Sequence, residues 1–319
     1  MKITVIGCGR WGSLITWYLD RQGHEVTLYG RETSKNMQGF LKDRKNDLLT
    51  LPESVALSTD ITSVADAEVI IISVNSQGLR SLLQNELAPL GLQNKIFVLC
   101  MKGIEISTGK RLSEIVEELT DPSNRVAVWL GPGHVQEFYA GIPNCMVIDS
   151  RDDEVKHRLV DEFSGELIRF YYGQDLIGNE IGGAAKNVIG IAAGFLDGMK
   201  LSTLKGALMS RGTREIARLI EAMGGNPVSA YGLCHLGDYE ATVFSPFSHN
   251  RRFGEAYIRG ESFESLAEGY FTVAALHELA QKYQVELPIC EAVWRVLYAG
   301  SDFAAEMDAL FRRSIKKEF

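Results

Sequence analysis

The chain has 319 residues, enough for two domains or one large one, and 45% are hydrophobic, an ordinary share for a globular protein. Its formal charge is −8 at pH 7, which excludes a nucleic-acid backbone as the main partner while leaving room for local positive charge around a small anion. The five cysteines (Cys8, Cys100, Cys145, Cys234, Cys290) are scattered and lack CxxC or Cys/His metal spacing, which argues for a reduced, cytosolic protein without structural zinc.

The first residues, MKITVIGCGRWG, enter a strand-like run rather than a signal peptide, and no apolar stretch reaches membrane length. KITVIG (2–7) is β-branched and ends in glycine. WGSLITWYLDRQG (11–23) has helical spacing with a stop at Gly23, and EVTLYG (25–30) is a second strand, so the opening is a βαβ unit. AEVIIISVNS (67–76) is continuously apolar, as strands covered on both faces are. KIFVLCMKG (95–103), RVAVWLGPG (125–133), CMVIDS (145–150) and LIRFYYG (167–173) follow, with helical segments between them. This alternation predicts a Rossmann-type doubly wound parallel sheet over 1–173. From 174 to 319 the strand runs stop and helices are predicted at 176–198, 203–224, 265–284 and 288–299, which makes an all-helical second domain.

GCGRWG (7–12) matches GxGxxG between a strand and a helix. Gly7 supplies a tight turn, Gly9 a close backbone approach to a pyrophosphate, and Gly12 close helix–sheet packing, so dinucleotide binding is expected. After the second strand, Arg31 would suit the 2′-phosphate of NADP, whereas Glu32 would suit the free 2′-hydroxyl of NAD. The balance leans to NADP and both stay open. Ligands bind beyond the carboxyl ends of such strands. Residues 73–76 (SVNS), Lys102, and the turn Gly131-Pro132-Gly133-His134 lie at those ends.

In the helical half, GGAAKNVIG (182–190) places Gly182, Lys186 and Gly190 on one helical face, with Gly183 beside them. A face so bare around one ammonium predicts close approach of a ligand. Residues 232–254 form the densest polar stretch, with Asp238, Thr242, Ser248, His249, Asn250, Arg251 and Arg252 suited to an anion. His134, His235 and His249 lack metal spacing, so no metal is expected, and no GxSxG hydrolase motif is present.

Together, GCGRWGS (7–13), MKGIEISTGK (101–110), LGPGHVQEFYAGIP (130–143), IGGAAKNVIGIAAGFLDG (181–198), GLCHLGD (232–238), SPFSHNRRFG (245–254) and LPICEAVWRVLYAG (287–300) resemble the bacterial-type NAD(P)-dependent glycerol-3-phosphate dehydrogenases. The resemblance covers nearly the whole chain. It implies reversible hydride transfer between glycerol 3-phosphate and dihydroxyacetone phosphate, feeding glycerophospholipid synthesis. It further implies that Lys186 is the proton donor and acceptor, with Lys102, Asp238 and Thr242 in the catalytic surround. Substrate would be held by Lys102, Gly131, Gly133, Asn187, Asp238, Ser248, His249 and Asn250. Cofactor would be met by Gly7, Gly9, Arg10, Trp11, Gly12, Ser13, Arg31, Lys102, Val135, His249, Arg251 and Glu268. The expected partner is a small phosphorylated substrate, with no nucleic acid and no membrane span, and a homodimer is compatible with the chain.

Two departures from the family pattern fall at the substrate end. His249 stands where the family usually has arginine, and a neutral imidazole is the weaker phosphate partner. Gly133 stands where the family typically has serine. Arg251 or Arg252 would compensate, or the substrate would differ. The alternatives are therefore a sister reductase of another hydroxy or keto compound, or a non-catalytic NAD(P)-binding protein.

Overall fold

The computed structural model describes all residues except Lys316 and Phe319. It divides into two compact units, Met1–Lys102 with Lys110–Glu180, and Gly103–Gly109 with Ile181 onward.

The first unit is built on β1 (Lys2–Ile6), β2 (Glu25–Tyr29), β3 (Ala56–Ser58), β4 (Val69–Ile72), β5 (Ile96–Leu99), β6 (Arg125–Leu130), β7 (Asn144–Ser150) and β8 (Ile168–Tyr172). They form one sheet in the order β3-β2-β1-β4-β5-β6-β7-β8. The first six strands follow the dinucleotide-binding order, whose direction of winding reverses between β1 and β4. VIII in β4 and IFVL in β5 are buried at every position, because helices cover both faces. Those helices are α1 (Arg10–Arg21), α2 (Lys35–Asp43), α3 (Leu79–Leu82), α4 (Leu112–Leu119), α5 (Val135–Tyr139) and α6 (Asp153–Phe163). An aromatic cluster centred on Trp129 packs with Tyr18, Phe163 and Phe170 at centroid distances of 6.1, 5.7 and 4.8 Å.

The sheet departs from the predicted parallel arrangement at one pair: β7 runs antiparallel to β6. The cause is the connection. Six residues of β6 rise about 20 Å, and the five residues of α5 return only about 7.5 Å. The chain therefore re-enters the sheet at the end where it left it.

The second unit carries α7 (Leu176–Gly198), which begins in the first unit, then α8 (Lys205–Ala222), α9 (His249–Arg259), α10 (Glu268–Tyr283), α11 (Pro288–Tyr298) and α12 (Phe303–Phe311). Among the described residues it has no strand of the sheet, and no helix of the chain is long and apolar enough to cross a membrane. The glycines of α7 are packing sites. A Cβ at Gly194 would lie 2.0 Å from the Arg251 carbonyl oxygen, and one at Gly254 would lie 2.2 Å from that of Ile191. The α7 and α9 backbones therefore touch.

Candidate active site

At the β1–α1 turn, Gly7 has φ +111°, and an added Cβ would meet the Ser73 carbonyl oxygen at 2.2 Å. Gly12 is equally tight, since its Cβ would lie 1.9 Å from the Gly7 carbonyl oxygen. Gly9 differs: nothing lies within 4 Å of a Cβ built there. Gly9 is also the N-cap of α1, makes no side-chain cap bond, and leads into a first turn without acidic residues. This is a backbone-lined cradle beside a helix N-terminus, and it fits a pyrophosphate. Around it, the Trp11 ring packs 5.9 Å from that of Phe138, and Arg10 donates to the Gln136 amide oxygen at 3.2 Å. Ser13 is buried and donates to the Gly9 carbonyl at 2.8 Å, so its hydroxyl braces the turn from behind.

Beyond β2, Arg31 pairs with Glu86 at 2.8 Å. The Tyr29 hydroxyl also donates to Glu86, and burial followed by that carboxylate pushes the phenol's pKa up. Sequence reasoning missed Glu86, which lies in the 83–87 turn, 55 residues from Arg31.

At the other strand ends, Lys102 donates to the Gly131 carbonyl at 2.6 Å, which fixes the 131–133 turn. Gly133 has φ +137°, and a Cβ there would lie 2.2 Å from the Phe138 ring. The missing serine thus has a structural reason, because this turn, with Phe138 against it, strongly favours glycine. Val135 is buried as the first residue of α5.

In the helical unit, Lys186 is buried on α7, and its Nζ lies 3.0 Å from Asp238 Oδ2 and donates to Thr242 Oγ1 at 2.7 Å. The Thr242 hydroxyl donates in turn to the Asp238 carbonyl at 2.7 Å. Two irregular turns, 236–238 and 240–244, set the two residues four positions apart on one side. Behind them His235 is fully buried, with Nδ1 on the Gly182 carbonyl at 2.8 Å and Nε2 on the Tyr239 hydroxyl at 2.7 Å. Burial pushes this imidazole down to about 4, against smaller opposing effects of Gly182 and Asp238, so it is neutral and braces the Asp238 turn. Sequence reasoning considered His235 only as a metal ligand.

At two of its glycines the α7 face is bare for protein rather than for a ligand. A Cβ at Gly182 would meet His235 Cβ at 2.9 Å, and one at Gly190 would meet Thr242 Cγ2 at 2.6 Å.

A second polar group joins Asn250, which donates to Asn187 Oδ1 at 3.0 Å and accepts from the Gly269 N–H at 2.9 Å, next to Glu268 at the start of α10. Ser248 caps α9 by accepting from the Arg251 N–H. The Arg251 side chain turns to Asp197 (2.7 Å) and Glu255 (3.1 Å), while Arg252 lies over the Phe263 ring. His249 approaches the Leu266 carbonyl at 3.3 Å, with its ring edge-on to Phe263.

The glycine turn at a helix N-terminus, in a sheet of dinucleotide-binding strand order, marks the first unit as that of a dinucleotide-dependent oxidoreductase class. Family models described as the N-terminus and C-terminus of NAD-dependent glycerol-3-phosphate dehydrogenase match residues 2–156 and 175–308. The chain belongs to the NAD-dependent glycerol-3-phosphate dehydrogenase family. The Thermoanaerobacter sp. protein named glycerol-3-phosphate dehydrogenase (NAD(P)+) is 34% identical over 330 residues, spanning 100% of this chain and 99% of that one. Its Prosthecochloris aestuarii namesake is 36% identical over 334 residues, covering 100% of both. The crystal structure of glycerol-3-phosphate dehydrogenase from Coxiella burnetii superposes with a TM-score of 0.90 at 28% identity, over 98% of this chain and 99% of the other.

Proposed function

We propose that the protein interconverts glycerol 3-phosphate and dihydroxyacetone phosphate with NAD or NADP as redox partner. The observation that carries this reading is the Lys186 ammonium, buried yet held by Asp238 and Thr242, in a chain of this family. The Gly7–Gly12 turn and the first N–H groups of α1 would hold the pyrophosphate. Bound nicotinamide supplies or accepts the hydride at the carbon bearing the oxygen. In reduction, Lys186 Nζ passes a proton to the substrate oxygen as it becomes an alkoxide, and in oxidation Nζ takes that proton back. Asp238 and Thr242 hold Nζ in position, while Asn187, Asn250 and Lys102 are polar donors suited to the substrate's oxygens. Glu86 competes for Arg31, so Arg31 must exchange partners to meet the 2′-phosphate of NADP.

The test is Lys186→Ala. The reduction rate with dihydroxyacetone phosphate should fall by about 10³-fold, within the range for loss of a general acid, while NADH binding measured by fluorescence persists. A variant with near-normal turnover would refute the role. A second reading, a different phosphorylated or anionic keto substrate, draws on one observation: Arg251, placed to compensate for His249, is engaged by Asp197 and Glu255. A substrate panel in which dihydroxyacetone phosphate is not preferred would favour it.

A further inference from the structure

The helical unit holds a cavity of about 790 Å³ bounded by α7, α8, α11, α12 and the segment after α12. Lys186, Asp238 and Thr242 are not among its lining residues. Its wall is hydrocarbon, from Ala192 and Leu196 on α7, Leu208 on α8, Val293 on α11, and Phe303 and Met307 on α12. None of the α12 residues is buried, although Phe303, Met307 and Leu310 recur on one face turned to the cavity. That helix is also tied to α11 by the Arg295–Glu306 pair at 2.7 Å.

The rim is cationic. Arg211, Arg214 and Arg218 recur at intervals of three and four, so they form one stripe along α8. Arg313 and Lys317 add to it, against Glu221 and Glu286 as the acidic lining residues. With Glu318 paired to Arg211, the rim holds five cations to three carboxylates, still a local excess in a chain of charge −8. Two of the rim arginines are in exposed pairs, Arg211–Glu318 at 2.9 Å and Arg313–Glu286 at 2.8 Å. Such pairs contribute little, so exchanging them for an anionic ligand costs little.

We propose that this cavity binds a single-chain anionic amphiphile, an alkyl phosphate or alkyl carboxylate. The tail lies among the α7, α11 and α12 side chains and the head meets the arginine stripe. The volume falls within the range of small-molecule sites, and guanidinium groups suit either head group. A second copy of the chain is the poorer occupant, because a two-fold contact sets the same arginine stripe against itself.

The experiment is calorimetric titration of the full chain with dodecyl phosphate, laurate, dodecanol and inorganic phosphate, each below its aggregation concentration. Dodecyl phosphate, laurate or both should bind once per chain, with dodecanol and inorganic phosphate at least tenfold weaker. The stronger of the two anions identifies the head group. Arg214→Glu/Arg218→Glu should weaken binding at least tenfold. Ala207→Trp, at an exposed lining position, should do the same by filling the cavity, with turnover and unfolding midpoint unchanged. Equal binding of dodecanol, or unchanged binding in Ala207→Trp, overturns the proposal. So does light scattering that shows a dimer dissociated by Ala207→Trp, since the face would then be an interface between copies.

Discussion

Asp238→Asn keeps the shape of the side chain and removes the charge 3.0 Å from Lys186 Nζ. At that separation and an effective dielectric near 20, the attraction is about 5.5 kcal/mol. The desolvation that both groups already bear, and relaxation after the change, leave only part of that as the net effect. Without the carboxylate the ammonium form is less favoured, so it should lose its proton at lower pH in the variant. In reduction Lys186 must be protonated, so the alkaline limb of kcat should move to lower pH, with the rate recovering on the acid side. The assay is NADH oxidation with dihydroxyacetone phosphate from about pH 6 to about pH 10, beside NADH affinity by fluorescence as a control for folding. An alkaline limb that stays in place with NADH binding intact would refute the reasoning. Either Lys186 would not be the titrating acid, or Asp238 would not be the group that holds its proton.

Three further outcomes follow from the geometry. Glu86→Gln removes a carboxylate 2.8 Å from Arg31 and should tighten NADPH binding by about fivefold, near 1 kcal/mol, with NADH unchanged in the same fluorescence titration. Gly133→Ser, at φ +137° with its Cβ against Phe138, should cost roughly 2–4 kcal/mol in urea unfolding. His235 is neutral in the folded protein down to about pH 4, whereas the unfolded chain takes up its proton below about 6.5. Its contribution to stability is therefore full above pH 6.5 and is lost as pH falls, by about 3 kcal/mol at pH 4. The stability gap between wild type and His235→Gln should shrink by that amount from pH 7 to pH 4.

What could be read from the sequence was local. GCGRWG between a strand and a helix specifies a turn whose steric demands involve residues a few positions apart, and the structure meets them at Gly7 and Gly12. The apolar runs of β4 and β5 announce strands covered on both faces. The reversal at β7 depends on the length of α5, and a five-residue helix leaves little periodic signal. The α12 helix was also not predicted, because Phe303–Phe311 buries none of its residues and so lacks the usual core stripe. The engagement of Arg31 by Glu86, and of Arg251 by Asp197, is a matter of contacts 55 and 54 residues apart in the chain. No local pattern encodes those contacts. Sequence proximity to a motif marked both arginines as ligand groups, and the structure adds the carboxylates with which a ligand would compete for them.

The α7 glycines show how a correct local inference can name the wrong object. The sequence requires that something come close to Gly182 and Gly190, and something does. Gly182 admits His235, whose ring spans from the Gly182 carbonyl to the Tyr239 hydroxyl and so braces the turn that carries Asp238. Gly190 admits Thr242, whose hydroxyl lies 2.7 Å from Lys186 Nζ. A methyl group at either glycine would push these partners outward by more than the tolerance of a 2.7 Å hydrogen bond. The bare face therefore acts on the proton-transfer group at one remove. It sets the distance at which carboxylate and hydroxyl grip the ammonium, and that distance is what a fixed acid–base group requires of its scaffold.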